Sequence, residues 1–304
     1  MTGVCAACGG RSLHIAFRVA AGAGTQEMTP STSRFGRALS DIVRCSNCGH
    51  LQLAQLPTGP SLVSDYTQAA SDDYLSEEAG QRTTGRGLLE RLERHRSPGQ
   101  LLDVGCWLGF LLDEARLRGW DVVGLEPSRY ASEHARQRLG LDVRRTDLFS
   151  ADLPDGAFDA IVLADVIEHL PDPGAALDRL AALLRPQGVL LLVLPDAGSR
   201  VARLLGARWW SVIPTHVQYF TRRSLSGLLE RRGWRMLDLS TAPKAFSVRY
   251  YLERIGGYSP TLSRGLVRLA TGAGLAERMW APDFRDRMAV LARAPGHNGA
   301  DGST

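Results

Sequence analysis

Four of the five cysteines fall in two pairs, Cys5-x-x-Cys8 and Cys45-x-x-Cys48, each followed by a glycine, Gly9 and Gly49. A C-x-x-C turn puts two thiolates about 3.5–4 Å apart on one side of an ion, and two such turns supply four soft ligands for a tetrahedral metal. Glycine after each pair lets backbone amides curl toward the sulfurs without a Cβ clash. The 36 residues between the pairs exceed the common zinc-ribbon spacing but can hold a short β-hairpin, with residues 13–19 and 38–43 as its strands. Two disulfides or a redox dithiol are the alternatives, and no secretion signal supports the oxidising compartment they would need. The reading is a closed structural zinc site on Cys5, Cys8, Cys45 and Cys48, there for folding rather than chemistry. Cys106 stands apart from this set.

A second group is built on glycine and acids. Residues 101–110 read Leu-Leu-Asp-Val-Gly-Cys-Trp-Leu-Gly-Phe. A dinucleotide fingerprint wants glycines where Gly105, Trp107 and Phe110 stand, so two of its three requirements fail. What survives is a tight strand-to-helix turn with glycine at both ends, Gly105 and Gly109, and an acid, Asp103, closing the strand. Glu126 follows 21 residues after Gly105, at the end of the next strand, where a carboxylate can accept from both hydroxyls of a ribose. A third group lies in residues 209–220, Trp-Trp-Ser-Val-Ile-Pro-Thr-His-Val-Gln-Tyr-Phe. Imidazole titrates near working pH, so His216 is the leading base or acceptor-orienting group, with Tyr219 as its partner. The alternative has His216 capping the next helix and Tyr219 and Phe220 in the core. His169 is a second candidate base.

These groups need a frame to converge on. From Leu101 onward short apolar runs alternate with helical patterns, the mark of βα units and a parallel sheet. Strands are expected at residues 101–104, 122–125, 141–144, 160–163, 189–194, 235–239 and 287–292. Helices are expected at 110–118, 129–139, 173–184 and 224–231, the third with Asp172 as its cap and Pro173 at its first position. Seven strands with an insertion before the last fit a doubly wound sheet, whose ligand crevice lies at the carboxyl edge where these motifs fall. A further helix is expected from about Ser76, capped by that hydroxyl and favoured by Glu77 and Glu78, to the stop at Ser97-Pro98-Gly99.

Composition excludes several classes. Hydrophobic residues at 44% and charged residues at 22% describe a globular chain with a sizeable core. No apolar run is long enough to span a bilayer, and the start of the chain does not read as a signal peptide, so a cytoplasmic protein without membrane contact is expected. A net charge of +4 does not call for a nucleic-acid partner. Lys244 is the only lysine among many scattered arginines, a bias read as compositional.

In order along the chain, Asp103-Val-Gly-Cys-Trp-Leu-Gly109, Gly124-Leu-Glu126-Pro127, Phe158-Asp159-Ala-Ile-Val, Asp165-Val-Ile-Glu168-His169-Leu170 and Leu184-Arg-Pro-Gln-Gly188 resemble the successive motifs of class I S-adenosylmethionine-dependent methyltransferases. The resemblance covers residues 100–194, and more loosely the chain to 294. It implies an α/β, doubly wound, mostly parallel seven-stranded Rossmann-like sheet. It places Gly105, Cys106 and Gly109, after Asp103, along the methionine and ribose portion of the cofactor. It gives the ribose diol to Glu126 and the adenine amino group to Asp147 with the backbone of Leu148. Ala164 and Asp165 then lie beside the methionine end. Trp107 departs from the commoner glycine or small residue.

Family members with a similar Pro-x-His-x-x-Tyr-Phe stretch use it to build the acceptor pocket, and many carry Glu-His at the position of Glu168-His169 for structural reasons. Tyr66 and Tyr74 could close over the cofactor, and Trp209 and Trp210 could wall an aromatic or sugar-like acceptor. A preceding zinc module is similar to that of nucleotide-sugar C-methyltransferases of antibiotic pathways, whose further C-terminal domain this chain is too short to hold.

The domain plan is then a zinc ribbon over 1–56, a linker and covering helix over 57–98, and a methyltransferase core over 99–294. Insertions fall at about 196–222 and 243–283, and residues 295–304 form a disordered tail. The expected activity is methyl transfer to oxygen or carbon of a small molecule or sugar in natural-product or polysaccharide biosynthesis. An RNA methyltransferase that reads RNA through the ribbon, or a non-catalytic cofactor-binding scaffold, are the alternatives, and oligomerisation is open.

Overall fold

The computed structural model of the chain describes residues 3–21, 35–57 and 75–295. Tyr66 and Tyr74, expected over the cofactor, and the tail lie outside these residues.

The central sheet has seven strands: β1 (Gln100–Val104), β2 (Asp121–Leu125), β3 (Val143–Arg144), β4 (Phe158–Ala164), β5 (Leu184–Pro195), β6 (Arg235–Thr241) and β7 (Arg287–Arg293). Their order is β6-β7-β5-β4-β1-β2-β3. Only β7 runs against the rest, between β5 and β6. The order reverses between β1 and β4, so the turns after these strands open a crevice at the carboxyl edge.

Eight helices accompany the sheet among the described residues: α1 (Glu78–Glu93), α2 (Phe110–Leu117), α3 (Arg129–Leu139), α4 (Pro173–Leu183), α5 (Arg200–Leu205), α6 (Arg222–Arg231), α7 (Val248–Arg254) and α8 (Pro260–Gly272). The strand residues alternate between two cores. Leu101, Val162, Leu191 and Val193 pack with Leu88, Leu89 and Leu92 of α1 and with Leu112 of α2. Leu102, Ile161, Leu190 and Leu192 pack on the other face with Leu177 and Leu180 of α4 and with Leu225 and Leu228 of α6. Burial on both faces is why β5 reads as an unbroken apolar run. Each fully buried leucine contributes about 1.5–3 kcal/mol.

Local chemistry sets the helix ends. Ser128 accepts from the Ala131 amide at the start of α3, and Asp172 accepts from Ala175 ahead of Pro173 in α4. Two boundaries differ from expectation. The boundary residue of α1 is Glu77 rather than Ser76, and it makes no side-chain cap, because its carboxylate instead accepts from the Ser247 amide (2.7 Å) and hydroxyl (2.6 Å). Strand β3 begins at Val143 rather than 141, because Gly140 closes α3 in the left-handed region and the Leu141 amide donates to Ala135.

At the N-terminal end, strands Leu13–Phe17, Ile42–Cys45 and Leu51–Leu53 form an antiparallel sheet, with Leu13 opposite Cys45. Its fourth strand, Gln218–Tyr219, comes from the segment after β5. His50, fully buried, ties the two parts together through Gln218 Oε1 at 2.8 Å and a tilted contact with the Phe220 ring. Among the described residues no helix is long and apolar enough to cross a membrane.

Candidate active site

The turn after β1 is bent by three residues in the left-handed region: Gly105 (φ 72°), Trp107 (φ 48°) and Gly109 (φ 84°). A side chain at the Trp107 position carries a conformational cost, which explains why related turns favour glycine there. The bend aims the Trp107 amide at Glu126 Oε2 (2.9 Å), while Oε1 accepts from the Ser128 amide (2.8 Å). The carboxylate that ends β2 is thus clamped between two loops. Burial pushes the Glu126 carboxyl up to about 7. Asp103 is also pushed up to about 7, by burial and by the neighbouring Glu126 charge.

A cavity of about 1190 Å³ runs along the carboxyl edge of the sheet. It exceeds the usual range of about 300–1,000 Å³ for a ligand pocket, so cofactor and acceptor can share it. Asp103, Gly105, Cys106, Glu126, Asp147 and Leu148 line the part formed by the turns of β1 to β3, and Ala164 and Asp165 follow after β4. Gly109 does not belong to this wall. A Cβ there would meet Leu141 Cδ1 at 2.8 Å and Ala135 Cβ at 3.0 Å, so its place is in the packing of α2 on α3.

Asp165 adopts a left-handed backbone (φ 59°) that turns its carboxylate to Lys244 Nζ (2.5 Å) and to Arg287. Burial opposes the charge, but Arg287 and Lys244 overcome it and hold this carboxyl well below the usual range. Burial and Arg287 lower Lys244 in turn. Sequence reasoning missed both cations. The single lysine of an arginine-rich chain was the available signal.

His169 and His216 both line the cavity, their rings edge to face with centroids 4.6 Å apart. His169 Nδ1 donates to the Thr215 carbonyl (2.7 Å) and His216 Nδ1 to the Ser211 carbonyl (2.8 Å), which leaves the lone pair of a neutral His216 imidazole on Nε2. Burial depresses His169 to about 4, and burial with the adjacent His169 takes His216 well below its ordinary value. His216 does not cap the next helix, since Thr221 does that. Tyr219 is not brought to the cavity: its hydroxyl donates to the backbone carbonyl of His216 (3.1 Å), not to the imidazole. Trp210 lines the cavity and donates to Asp286 (2.8 Å), while Trp209 is core. The insertion before β7 adds an aromatic wall of Phe246, Tyr250, Tyr251, Trp280 and Phe284, joined by ring contacts at 4.0–6.2 Å.

Away from the cavity, Cys5 Sγ lies 3.7 Å from Cys48 Sγ and Cys8 Sγ 3.6 Å from Cys45 Sγ, with all four inside 4.8 Å. Tetrahedral zinc with 2.3 Å bonds sets an edge of about 3.8 Å, so the four cysteines fit such an ion. Gly9 and Gly49 donate to the carbonyls of Cys5 and Cys45, making two matching turns. Burial pushes the Cys48 thiol up to about 11, whereas amides of Cys48 and Asn47 outweigh burial and lower Cys45.

A doubly wound sheet with one reversed strand, a glycine turn facing a strand-end acid, and a cavity on the carboxyl edge make up the class I methyltransferase fold. Residues 76–239 match the methyltransferase-domain family, and the chain belongs to it. It is 37% identical over 98 residues to a ubiquinone biosynthesis O-methyltransferase of Rhodopseudomonas palustris, a match that covers 31% of this chain and 38% of that protein. A protein of the same name from Nitrobacter winogradskyi is 38% identical over 96 residues, covering 30% and 36%. The chain therefore spans well under half the length of these relatives. In fold it is similar to 1,6-didemethyltoxoflavin-N1-methyltransferase of Burkholderia thailandensis, solved with 1,6-didemethyltoxoflavin and S-adenosylhomocysteine. The TM-score is 0.50 at 18% identity, over 83% of this chain and 98% of that one.

Proposed function

We propose that the protein methylates an oxygen, or an acidic carbon, of a small apolar acceptor with aromatic surface. The observation that carries this reading is the aromatic wall of Phe246, Tyr250, Tyr251 and Trp280 in one cavity with Glu126, His169 and His216. Relatives named for O-methylation in ubiquinone biosynthesis support oxygen as the preferred atom. A sugar or polysaccharide acceptor fits this wall less well, since its hydroxyls would be desolvated against rings with few polar partners.

When bound, S-adenosylmethionine supplies a methyl group on a positively charged sulfur that is already a good leaving group. The side chains then have to bind, align and exclude water. Glu126 accepts from the ribose hydroxyls, Gly105 and Cys106 flank the sugar, and Asp147 with Leu148 holds the adenine. Ala164 and Asp165 border the methionine portion, with Lys244 and Arg287 fixing the Asp165 carboxylate. His216, with His169 packed edge to face against it, receives the acceptor's hydroxyl and takes up its proton as the oxygen bonds to the methyl carbon and the bond from that carbon to sulfur breaks. Tyr219 steadies the His216 backbone. Cys5, Cys8, Cys45 and Cys48 hold a structural zinc ion that shapes the N-terminal sheet.

Calorimetric titration with S-adenosylmethionine tests the cofactor half: Glu126→Ala should weaken binding by about tenfold to a hundredfold, the loss of one to two charge-assisted hydrogen bonds. Mass spectrometry of a panel of phenols incubated with labelled cofactor tests the acceptor half. Cofactor binding without transfer to any phenol would remove the aromatic-acceptor reading.

A further inference from the structure

Among the described residues, the lysine and arginine side chains that line the cavity are Lys244, Arg254 and Arg287. Lys244 and Arg287 are already paired, both with Asp165. Arg254 is not. It stands in the last turn of α7, and its guanidinium makes no hydrogen bond and no ion pair among the described residues. Its Nε is sealed from solvent without an acceptor. What holds the group is the ring of Tyr250, one helical turn earlier, with the guanidinium carbon 4.2 Å from the ring centroid.

The acids of the same lining are engaged elsewhere. Asp283 accepts from the Thr241 hydroxyl (2.7 Å) and the Arg285 amide (2.8 Å). Asp286 accepts from the indoles of Trp209 (3.3 Å) and Trp210 (2.8 Å). The contrast is sharpest within α7 itself, where Arg249 is neutralised by Glu277 at 2.7 Å. A cation in the last turn also favours the helix dipole. That role is met in open water and gives no reason to bury the Nε and stack the group on a ring. A buried donor with no acceptor is a standing cost, which an incoming oxyanion relieves. Stacking on Tyr250 keeps the fork of donors flat and ready for such a partner.

We propose that Arg254 is a specificity-determining residue that binds a carboxylate on the methyl acceptor, so that the substrate class is an aromatic hydroxy acid. The inference rests on the aromatic-acceptor reading above and adds a charged end to it. Charge selects carboxylate over phosphate. One unbalanced cation matches one negative charge, whereas a phosphate monoester carries about −1.5 to −2 near neutral pH. The two carboxylate oxygens take two parallel N–H donors of the fork. Phe246, Tyr250, Tyr251 and Trp280 then cover the body of the molecule, and Arg254 holds its acidic end. Anchoring that end limits which hydroxyl of the ring system meets His216.

The test is calorimetric titration of the full chain, saturated with S-adenosylhomocysteine, using a hydroxynaphthoate, its carboxamide and the matching hydroxynaphthyl phosphate. The carboxylate should bind about tenfold tighter than the carboxamide, or more, the worth of charge-assisted hydrogen bonds. Arg254→Gln should bring that ratio close to unity. Arg254→Lys should keep part of it, because an ammonium retains the charge and loses the fork. Circular dichroism reports that each variant is folded. Equal binding of acid and amide by the wild-type chain, binding of neither, a preserved ratio in folded Arg254→Gln, or tighter binding of the phosphate would each overturn the proposal. Should both variants fail to fold, the wild-type comparison decides. Methyl transfer to acid and amide alike would leave the aromatic-acceptor reading standing and remove this one. Tight, Arg254-dependent binding of the acid without transfer to any phenol would do the reverse.

Discussion

The cysteine cluster and the acceptor cavity both gather ionisable side chains out of water, yet they treat them in opposite ways. At the cysteines, four like thiols stand at near-tetrahedral spacing, and both turns are stitched by the same backbone bonds. In the cavity, acids, imidazoles and cations are unlike one another, only some are paired, and open volume remains beside them. A closed set can stabilise a fold but has no vacant position for a reactant. An open one carries unmet bonding capacity, and that capacity is what a substrate can use.

The largest expected effect comes from opening the closed set. Cys45→Ser should abolish zinc retention by elemental analysis and melt the N-terminal sheet, since structural zinc contributes on the order of 10 kcal/mol in small modules. Binding of S-adenosylmethionine should survive, because Gly105 and Glu126 directly follow β1 and β2, away from the N-terminal sheet; its loss would erase the contrast between the two regions.

The open set should answer to pH near neutrality. Glu126 and Asp103 are raised to about 7 by burial, and the ribose hydroxyls need an ionised Glu126. Cofactor affinity should therefore fall by about tenfold per pH unit below about 7 and level off above it. The ligand-free fold behaves in the opposite sense. Its neutral carboxyls are favoured at low pH, and stability is lost as pH rises from the ordinary 4.5 of glutamate through about 7. A flat calorimetric profile across that range would place Glu126 outside the binding reaction.

Two smaller changes separate packing from contact. Gly109→Ala should cost about 1–3 kcal/mol in denaturant unfolding, through positive φ and the crowding of Leu141 and Ala135, and leave cofactor affinity alone. Tyr219→Phe should cost about 0.5–1.5 kcal/mol for its hydrogen bond to the His216 carbonyl, with turnover nearly unchanged. A turnover collapse in the latter would put the hydroxyl in the reaction.

How much of this was legible depends on how local each signal is. Helix α3 is marked by Ser128 and Gly140 at its own ends, and sequence reading places it at residues 129–139 as found. The cysteine pairs announce themselves by spacing within two short turns. The family resemblance places Gly109 along the cofactor, whereas the approach of Leu141 and Ala135 from α3 and beyond gives it a packing role that no local pattern encodes. Arg287 and Lys244 meet Asp165 across 122 and 79 residues, and no periodicity encodes that. The aromatic wall is equally non-local, because its rings lie in an insertion whose course over the cavity the sequence pattern does not dictate.

The Gln218–Tyr219 strand has a final consequence. It zips onto Leu51–Leu53 two residues after His216, while Leu53 itself donates to the Val217 carbonyl at 3.0 Å. The N-terminal sheet thus acts as an anchor plate, and the histidine rides on a bracket bolted to it. Slack introduced at the plate travels along that bracket into the cavity, so damage some distance from any reactant would be read out as misalignment of the methyl acceptor.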